Sequence, residues 1–334
     1  MKISLVGCGG ISKSHFGAIN SLEGCELISV CDIKSERVEA AAKLTGAKAY
    51  TDFDEMLKGE KPDVLHICTP HYLHTPMALK ALELGIHVLI EKPCSVTRGE
   101  LALLRQAQEE TGLKVGTCFQ NRYNKSSIRL RELLADGEGG KLLGMRGFVT
   151  WSRGEAYYSD DWHGTLEKEC GGVLINQAIH TLDLMQNAGG GVKSVVGHIS
   201  NDHLKGVIEV EDTASALMEF NNGANGIFYA TLAHTDDAPI MVDFIFEEYT
   251  LRLEGDNLYK LGPCGELEAL EQAGENRLFG KACWGSGHTA LIDDFYDSIR
   301  NDRPFEIDAF EGGKALETVL AIYRSSAQNT KEEV

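Results

Sequence analysis

Residues 2–12 read KISLVGCGGIS, and this stretch decides how the chain begins. A short apolar run ends at Val6 and is followed at once by Gly7, Gly9, Gly10 and Ile11. Short runs rich in Val and Ile mark strands buried on both faces, so residues 2–6 are expected to be a strand of a parallel sheet. Gly7 allows a tight turn after that strand, and Gly9 lets backbone N–H groups approach a pyrophosphate. The N-terminus of the next helix adds a favourable partial positive charge. The third position of this glycine fingerprint is Ser12, neither Gly nor Ala, yet still small enough for helix–strand packing. Asp32 follows Ser12 by 20 residues, at the end of the next apolar run, ELISVC (26–31). An acid there accepts hydrogen bonds from ribose hydroxyls and repels a 2′-phosphate, which points to NAD; Lys34 leaves NADP open as the alternative.

The same type of run recurs as PDVLHIC (62–68), IHVLI (86–90) and LKVGTCF (113–119). Helices are expected between the runs: SERVEAAAKLTG with Ser35 as cap and Gly46 as stop, TPMALKALELG with Thr75 as cap, and TRGELALLRQAQEETG with a capping box from Thr97 to Glu100. This alternation is the pattern of a doubly wound α/β sheet, and it assigns residues 1–119 to a Rossmann dinucleotide-binding domain. Beyond it the pattern changes. A helix over residues 125–136 is followed by strand-like segments at 192–200, 213–220, 226–234, 240–248 and 250–255, with Asn222–Gly223 marking a hairpin. Helices near 288–300 and 312–328 close the chain. Residues 120–334 are therefore expected to form an α+β domain with a mostly antiparallel sheet, which shapes a second site. Its C-terminal helix has the option of packing back on the first domain.

Composition narrows the function classes. The chain has 334 residues, 43% hydrophobic and 25% charged, which is ordinary for a globular protein of about two domains. A net charge of −18 repels phosphate backbones and argues against a nucleic-acid partner. No apolar run is long enough for a membrane span or a signal sequence, so a cytoplasmic location without an anchor is expected. Nine cysteines form no C-x-x-C pair, and those near the strands read as small buried hydrophobes in a reducing compartment.

In an open α/β sheet, ligands bind beyond the carboxyl ends of the strands. CTPHYLHTP follows the fourth run and EKP ends the fifth. Thr69, Pro70, His74, Glu91 and Lys92 are thus placed where a nicotinamide would lie. Lys92 is the candidate to donate to a reacting oxygen. His71 and His74 invite a metal reading, but nothing supplies further ligands, and no metal is expected.

A second stretch, GGVLINQAIH (171–180), carries Asn176 and His180 four residues apart, with Asp183 beyond them. On one continuous helix these three would share a face. Gly171 and Gly172 would let that helix start close to the cofactor domain. A neutral His180 can accept the proton of an alcohol, and Asn176 can orient the hydroxyl without titrating. Asp183 either supports His180 from behind or faces solvent. Gln120, Asn121 and Arg122, with Trp151, Tyr157, Tyr158, Trp162 and His163, are candidates to hold a sugar. Of these, Gln120, Arg122, Tyr157 and Trp162 are the strongest substrate-binding candidates, beside Lys92, Asn176 and His180. The loops at 151–170 and 256–285 are expected to shape the pocket.

Together VGCGGIS, VLHICTPHYLHTPMALKALELGIHVLIEKP and GGVLINQAIHTLDL resemble the Gfo/Idh/MocA family, named after glucose–fructose oxidoreductase, inositol dehydrogenase and a rhizopine-catabolism protein. The resemblance runs from Lys2 to the closing IYRSS. It implies a Rossmann domain followed by a domain with an open antiparallel sheet. It also implies NAD or NADP as cofactor and hydride transfer to or from a secondary alcohol or ketone of a sugar, glycoside or cyclitol. It implies that Lys92 contacts both the nicotinamide ribose and the substrate hydroxyl, that His180 is the general acid/base, and that the chain forms a homodimer or homotetramer through the C-terminal sheet. Many members carry aspartate where this chain has Asn176. Two alternatives remain: an NAD-recycling glycoside-modifying enzyme that oxidises a sugar transiently before elimination, and a non-catalytic NAD-bound sugar sensor.

Overall fold

The structure is a computed structural model that describes residues 1–272 and 287–334. Its contacts divide the chain into two compact units. The first holds residues 1–120 with 287–313, and the second holds residues 121–272 with 314–334.

The first unit alternates β1 Lys2–Val6, α1 Ser12–Ser21, β2 Glu26–Cys31, α2 Ser35–Thr45, β3 Lys48–Tyr50, α3 Phe53–Glu60, β4 Val64–Ile67, α4 His74–Glu83, β5 His87–Glu91, α5 Arg98–Thr111 and β6 Val115–Cys118. The sheet order is β3-β2-β1-β4-β5-β6, and every pairing is parallel. This is the doubly wound order, with its reversal between β1 and β4. Strands β4 and β6 are buried at every residue, as central strands of a parallel sheet are, even at the polar His66 and Thr117. Two elements went unread in the sequence, β3 and α3. Strand β3 is only three residues long, and α3 carries a cap signal in Asp52, whose carboxylate accepts the Glu55 N–H at 2.8 Å. Helix α5 has the expected cap, with the Thr97 hydroxyl accepting the Glu100 N–H at 3.1 Å. Helix α4 begins one residue before Thr75, at His74.

The late segment of the first unit covers the β6 side of its sheet. The Thr117 N–H bonds to the Ile307 carbonyl at 2.9 Å, extending the hydrogen bonding of β6. A side chain on Gly116 would meet Leu89 and Phe295 at 2.8 Å, so this glycine lets helix α8, His288–Arg300, pack closely.

The second unit holds α6 Lys125–Asp136, β7 Leu142–Thr150, α7 Ile179–Ala188, β8 Val192–Ser200, β9 Thr213–Phe220, β10 Asn225–Thr231, β11 Met241–Phe246, β12 Thr250–Glu254, β13 Asn257–Leu261, β14 Leu267–Glu271, most of α9 Ala309–Gln328, and β15 Glu332–Glu333. Its sheet order is β14-β13-β12-β11-β7-β10-β9-β8-β15. All pairs are antiparallel except β7 with β10. The hairpin at Asn222–Gly223 joins β9 and β10, with Gly223 at φ +86°. Part of the loop expected at 256–285 is in fact the β13–β14 hairpin, and residues 273–285 of it lie outside the described residues. Helix α7 covers β7 and α9 covers β8. A Cβ on Gly147 would strike Met185 at 2.5 Å, and one on Gly197 would strike Ile322 at 2.8 Å.

A deeply buried charge pair joins the turn at 120–123 to α7. The Arg122 guanidinium donates to both Asp183 oxygens, at 2.7 and 2.6 Å, and both side chains are 1% exposed. Asp183 is thus neither solvent-facing nor set aside for His180. Deleting one member of such a pair strands a buried charge. Arg122→Met is expected to lower stability by about 3–5 kcal/mol, read from the urea midpoint. The double variant Arg122→Met/Asp183→Leu should regain most of that loss. A double variant no more stable than the single one would mean that the two charges do not act as a pair.

Candidate active site

The residues expected to hold the cofactor lie in the first unit. Gly7 has φ +92°, and a Cβ there would sit 2.5 Å from the Cys68 carbonyl group, so glycine is obligatory at the turn. Gly9 and Gly10 have nothing within 4 Å of a Cβ position, which leaves open space along the backbone before α1. No side chain caps α1, whose N-cap is Ile11. An uncapped helix start beside an open glycine loop fits a pyrophosphate. Ser12 earns its place by donating its hydroxyl to the Gly9 carbonyl at 2.7 Å, a bond that Gly or Ala could not make. The Asp32 carboxylate accepts the Cys8 N–H at 2.8 Å and the Lys34 N–H at 2.9 Å, so it braces the glycine loop from the end of β2.

At the carboxyl ends of β4 and β5, His74 bridges two backbone segments. Its Nδ1 lies 2.7 Å from the Pro93 carbonyl and its Nε2 lies 2.8 Å from the Thr69 carbonyl. Both ring nitrogens are thereby turned to backbone oxygens, and His71 beside it is buried. Pro70 opens the short turn His71–Leu73. Lys92 is half-buried, and its N–H donates to the Glu91 carboxylate at 3.2 Å.

The stretch around Asn176 and His180 lies in the second unit and departs from the sequence reading. Residues 171–178 form a series of turns, and α7 begins only at Ile179. The Asn176 and Gln177 N–H groups bond four residues back, to Gly172 at 3.0 Å and Val173 at 3.2 Å. The Ala178 N–H reaches five residues back, to Val173 at 2.8 Å. That wider bond interrupts the helical register. Asn176 and His180 therefore do not share one continuous helix face: Asn176 sits in the turn, and His180 is half-buried on the first turn of α7.

The two glycines also have a local reason. A Cβ on Gly172 would lie 1.9 Å from the Glu211 carbonyl oxygen, and one on Gly171, at φ +157°, would lie 2.3 Å from the Tyr323 hydroxyl. The Glu211 carboxylate accepts the Gly172 N–H at 2.9 Å, the Leu174 N–H at 3.0 Å and the Tyr323 hydroxyl at 2.9 Å. Burial pushes the Glu211 carboxyl above its usual range against the pull of these donors. The glycines thus admit the segment before β9 and helix α9.

Asn176 donates its amide to the Glu169 carboxylate and lies 3.4 Å from the Tyr157 hydroxyl. Glu169 is 1% exposed and also accepts the Gly164 N–H. Burial, with the Glu169 charge added, pushes the Tyr157 phenol up to about 12. The aromatic candidates do cluster. Tyr157 packs on His163 at 4.7 Å, Trp162 stacks on His163 at 3.8 Å, and Arg153 lies 5.2 Å from the rings of both Tyr157 and Trp151. Two expected sugar-binding residues have other surroundings. Arg122 is spent on Asp183 in the core, and Gln120 is 2% exposed. The sequence reading missed Glu169, Glu211 and Tyr323, which stand at no motif spacing from the residues they hold.

The Asn176–Glu169 contact explains why an amide suits position 176 here. Aspartate would face a buried carboxylate, and two such groups cannot both ionise cheaply. Asn176→Asp should lower the melting temperature more at about pH 8, where both acids are charged, than at about pH 5, where one takes a proton. An equal loss at both values would remove Glu169 from this account.

Residues 1–119 match the GFO/IDH/MocA oxidoreductase family with NAD-binding Rossmann fold, and residues 128–253 match the GFO/IDH/MocA C-terminal domain. The chain is 26% identical over 360 residues to D-glucoside 3-dehydrogenase of Escherichia coli (strain K12), covering 100% of this chain and 97% of the relative. It is 27% identical over 190 residues to glucose-6-phosphate 3-dehydrogenase of Bacillus subtilis (strain 168), 55% of this chain and 52% of that one. It is 30% identical over 151 residues to inositol 2-dehydrogenase of Salmonella typhimurium (strain LT2), 44% of this chain and 45% of that one. Among solved structures, the WlbA dehydrogenase of Bordetella pertussis in complex with NADH and UDP-GlcNAcA is 28% identical, with a TM-score of 0.87 over 100% of this chain and 98% of that one. Levoglucosan dehydrogenase in complex with NADH and levoglucosan shares the fold, at 20% identity and a TM-score of 0.90 over 100% of this chain and 99% of that one. Among the described residues no helix is long and apolar enough to cross a membrane. The chain belongs to the GFO/IDH/MocA family, and it is an NAD-dependent oxidoreductase acting on CH–OH groups.

Proposed function

We propose that this protein oxidises a ring hydroxyl of a sugar or glycoside, with the C3 hydroxyl of a pyranoside as the reacting position. The observation that carries this reading is the end-to-end similarity to D-glucoside 3-dehydrogenase. The likeness to a glucose-6-phosphate 3-dehydrogenase adds to it, whereas the inositol 2-dehydrogenase likeness spans less than half of the chain. Bound NAD+ would supply the hydride acceptor. Lys92 is assigned the role of donating to the substrate oxygen, and His180 that of taking the hydroxyl proton. Asn176, held by Glu169 and Tyr157, orients without titrating. Trp162 and Tyr157 offer aromatic surface to a sugar face.

The test is NADH formation from a panel of glucosides, sugar phosphates, nucleotide-linked uronic acids and inositols, with NAD+ and NADP+ in parallel. Glucosides with NAD+ are the expected pair, and Asp32 is the reason to expect NADP+ to bind more weakly. Lys92→Met should cost about a hundredfold or more in kcat while leaving NAD+ affinity largely intact. Because a protonated His180 cannot accept the hydroxyl proton, kcat/KM should fall on the acid side of its pH profile. His180→Ala should lose most activity along with that limb. Aglycone release without net NADH would favour transient oxidation followed by elimination, and cofactor binding without turnover on any sugar would favour a sensor.

We also infer a homo-oligomer formed through the sheet of the second unit. On the face away from α7 and α9, Val196, Leu217 and Ile227 stand side by side on β8, β9 and β10 at 46%, 60% and 44% exposure. Tyr229 and Ile245 extend this apolar face. A contiguous apolar sheet face in contact with water is a frequent mark of an association surface. Leu217→Glu is expected to yield a smaller species by size-exclusion chromatography with light scattering. A monomeric parent protein would end this reading.

A further inference from the structure

Three buried polar side chains in the first unit belong to none of the roles above, and they lead to a fourth, Glu91. Tyr296 lies in α8, His66 within β4, His15 in α1, and Glu91 closes β5; none is more than 6% exposed. The Tyr296 hydroxyl is 2.9 Å from His66 Nε2, His66 Nδ1 is 2.8 Å from His15 Nδ1, and His15 Nε2 is 3.0 Å from Glu91 Oε1.

The proton positions follow from the partners. A carboxylate only accepts, so His15 carries its ring proton on Nε2 and presents the Nδ1 lone pair. His66 must then carry its proton on Nδ1, and its Nε2 accepts from the Tyr296 hydroxyl. Three protons make three bonds, all directed towards Glu91. The reverse order with the same three protons would leave Tyr296 as a phenolate, and burial pushes that phenol well above its ordinary value.

We propose that Tyr296, His66 and His15 form a neutral hydrogen-bonded chain of fixed direction that holds Glu91 as a carboxylate, and that this buried charge favours the cationic nicotinamide of NAD+ over the neutral one of NADH. Burial keeps His15 and His66 below the usual imidazole range, despite the pull of Glu91. Burial also opposes the Glu91 carboxylate, but the hydrogen bond from His15, with His288 close by, outweighs it and holds the group well below the usual range. The other groups near Glu91 are Lys92, His288, His74 and the thiols of Cys68 and Cys118. His288 Nε2 lies 3.8 Å from Oε1, the Cys68 and Cys118 thiols are pushed well up by burial, and burial lowers His74. His15 and His66 are thus positioning residues, acting through Glu91. The proposal rests on the nicotinamide lying beyond the carboxyl end of β5, as open α/β sheets place their ligands.

Two measurements test it. Nitrogen-15 NMR of the histidine rings in the full protein should show His15 protonated on Nε2 and His66 on Nδ1, both neutral through the neutral pH range. An imidazolium at either residue, or the opposite tautomers, would overturn the chain. Equilibrium titration of Glu91→Gln with NAD+ and with NADH should shift the ratio of the two dissociation constants by about tenfold towards NADH, since one negative charge is removed from the region. An unchanged ratio in a folded variant would overturn the charge effect, while a parent protein that bound neither form would instead sink the cofactor reading. If Glu91→Gln fails to fold, the NMR result on the parent protein still decides. His15, Glu91 and Cys118 are also close enough to share a metal ion. About one equivalent of transition metal in the purified protein would place an ion on these atoms, and the chain would then be wrong.

Discussion

Much of the second unit depends on one buried carboxylate. Glu211, in the segment that leads into β9, accepts two N–H groups from the turn at 172–174 and the hydroxyl of Tyr323 on α9. Three elements distant in sequence are tied at one point. Buried backbone donors left without acceptors are costly, and this turn is too irregular to satisfy its own. The carboxylate does so, and the two glycines before it remove the side chains that would keep it away.

That tie has a consequence for chemistry. A turn held by Glu211 cannot continue α7 backwards as a regular helix, so Asn176 occupies a turn position and His180 a helical one. Their side chains are set by different neighbours. Asn176 belongs with Glu169 and Tyr157, whereas the helix that carries His180 is anchored one turn later by Asp183 and Arg122. The turn that carries Asn176 and the helix that carries His180 are thus each tied to buried charge, the kind of support that keeps a side chain in one geometry.

The first unit solves a different problem. Its sheet must carry polar groups at the carboxyl ends of the strands without leaving them unsatisfied inside. Asp32 spends its oxygens on the glycine loop, His74 spans two carbonyls, and Glu91 is met by the imidazole of His15. The polar groups at these strand ends are therefore held by hydrogen bonds within the protein itself.

Much of this was legible in the sequence. Short buried runs separated by capped helices, a glycine turn, and an acid at the end of the second strand determine a doubly wound nucleotide-binding sheet, because local propensity and burial pattern agree there. Five strands of the second sheet, β8 to β12, and the hairpin at Asn222–Gly223 were also readable, whereas β7, β13, β14 and β15 were not. Tertiary structure alone decided the rest. It decided that GGVLIN is a turn, that its glycines serve Glu211 and Tyr323, that Arg122 is buried against Asp183, that Asn176 answers Glu169, and that residues 287–313 complete the first unit. The physical reason is the same in each case. Periodicity reports which face of an element is buried, but a hydrogen bond or ion pair between residues far apart in the chain leaves no period, and only the folded chain brings its partners together.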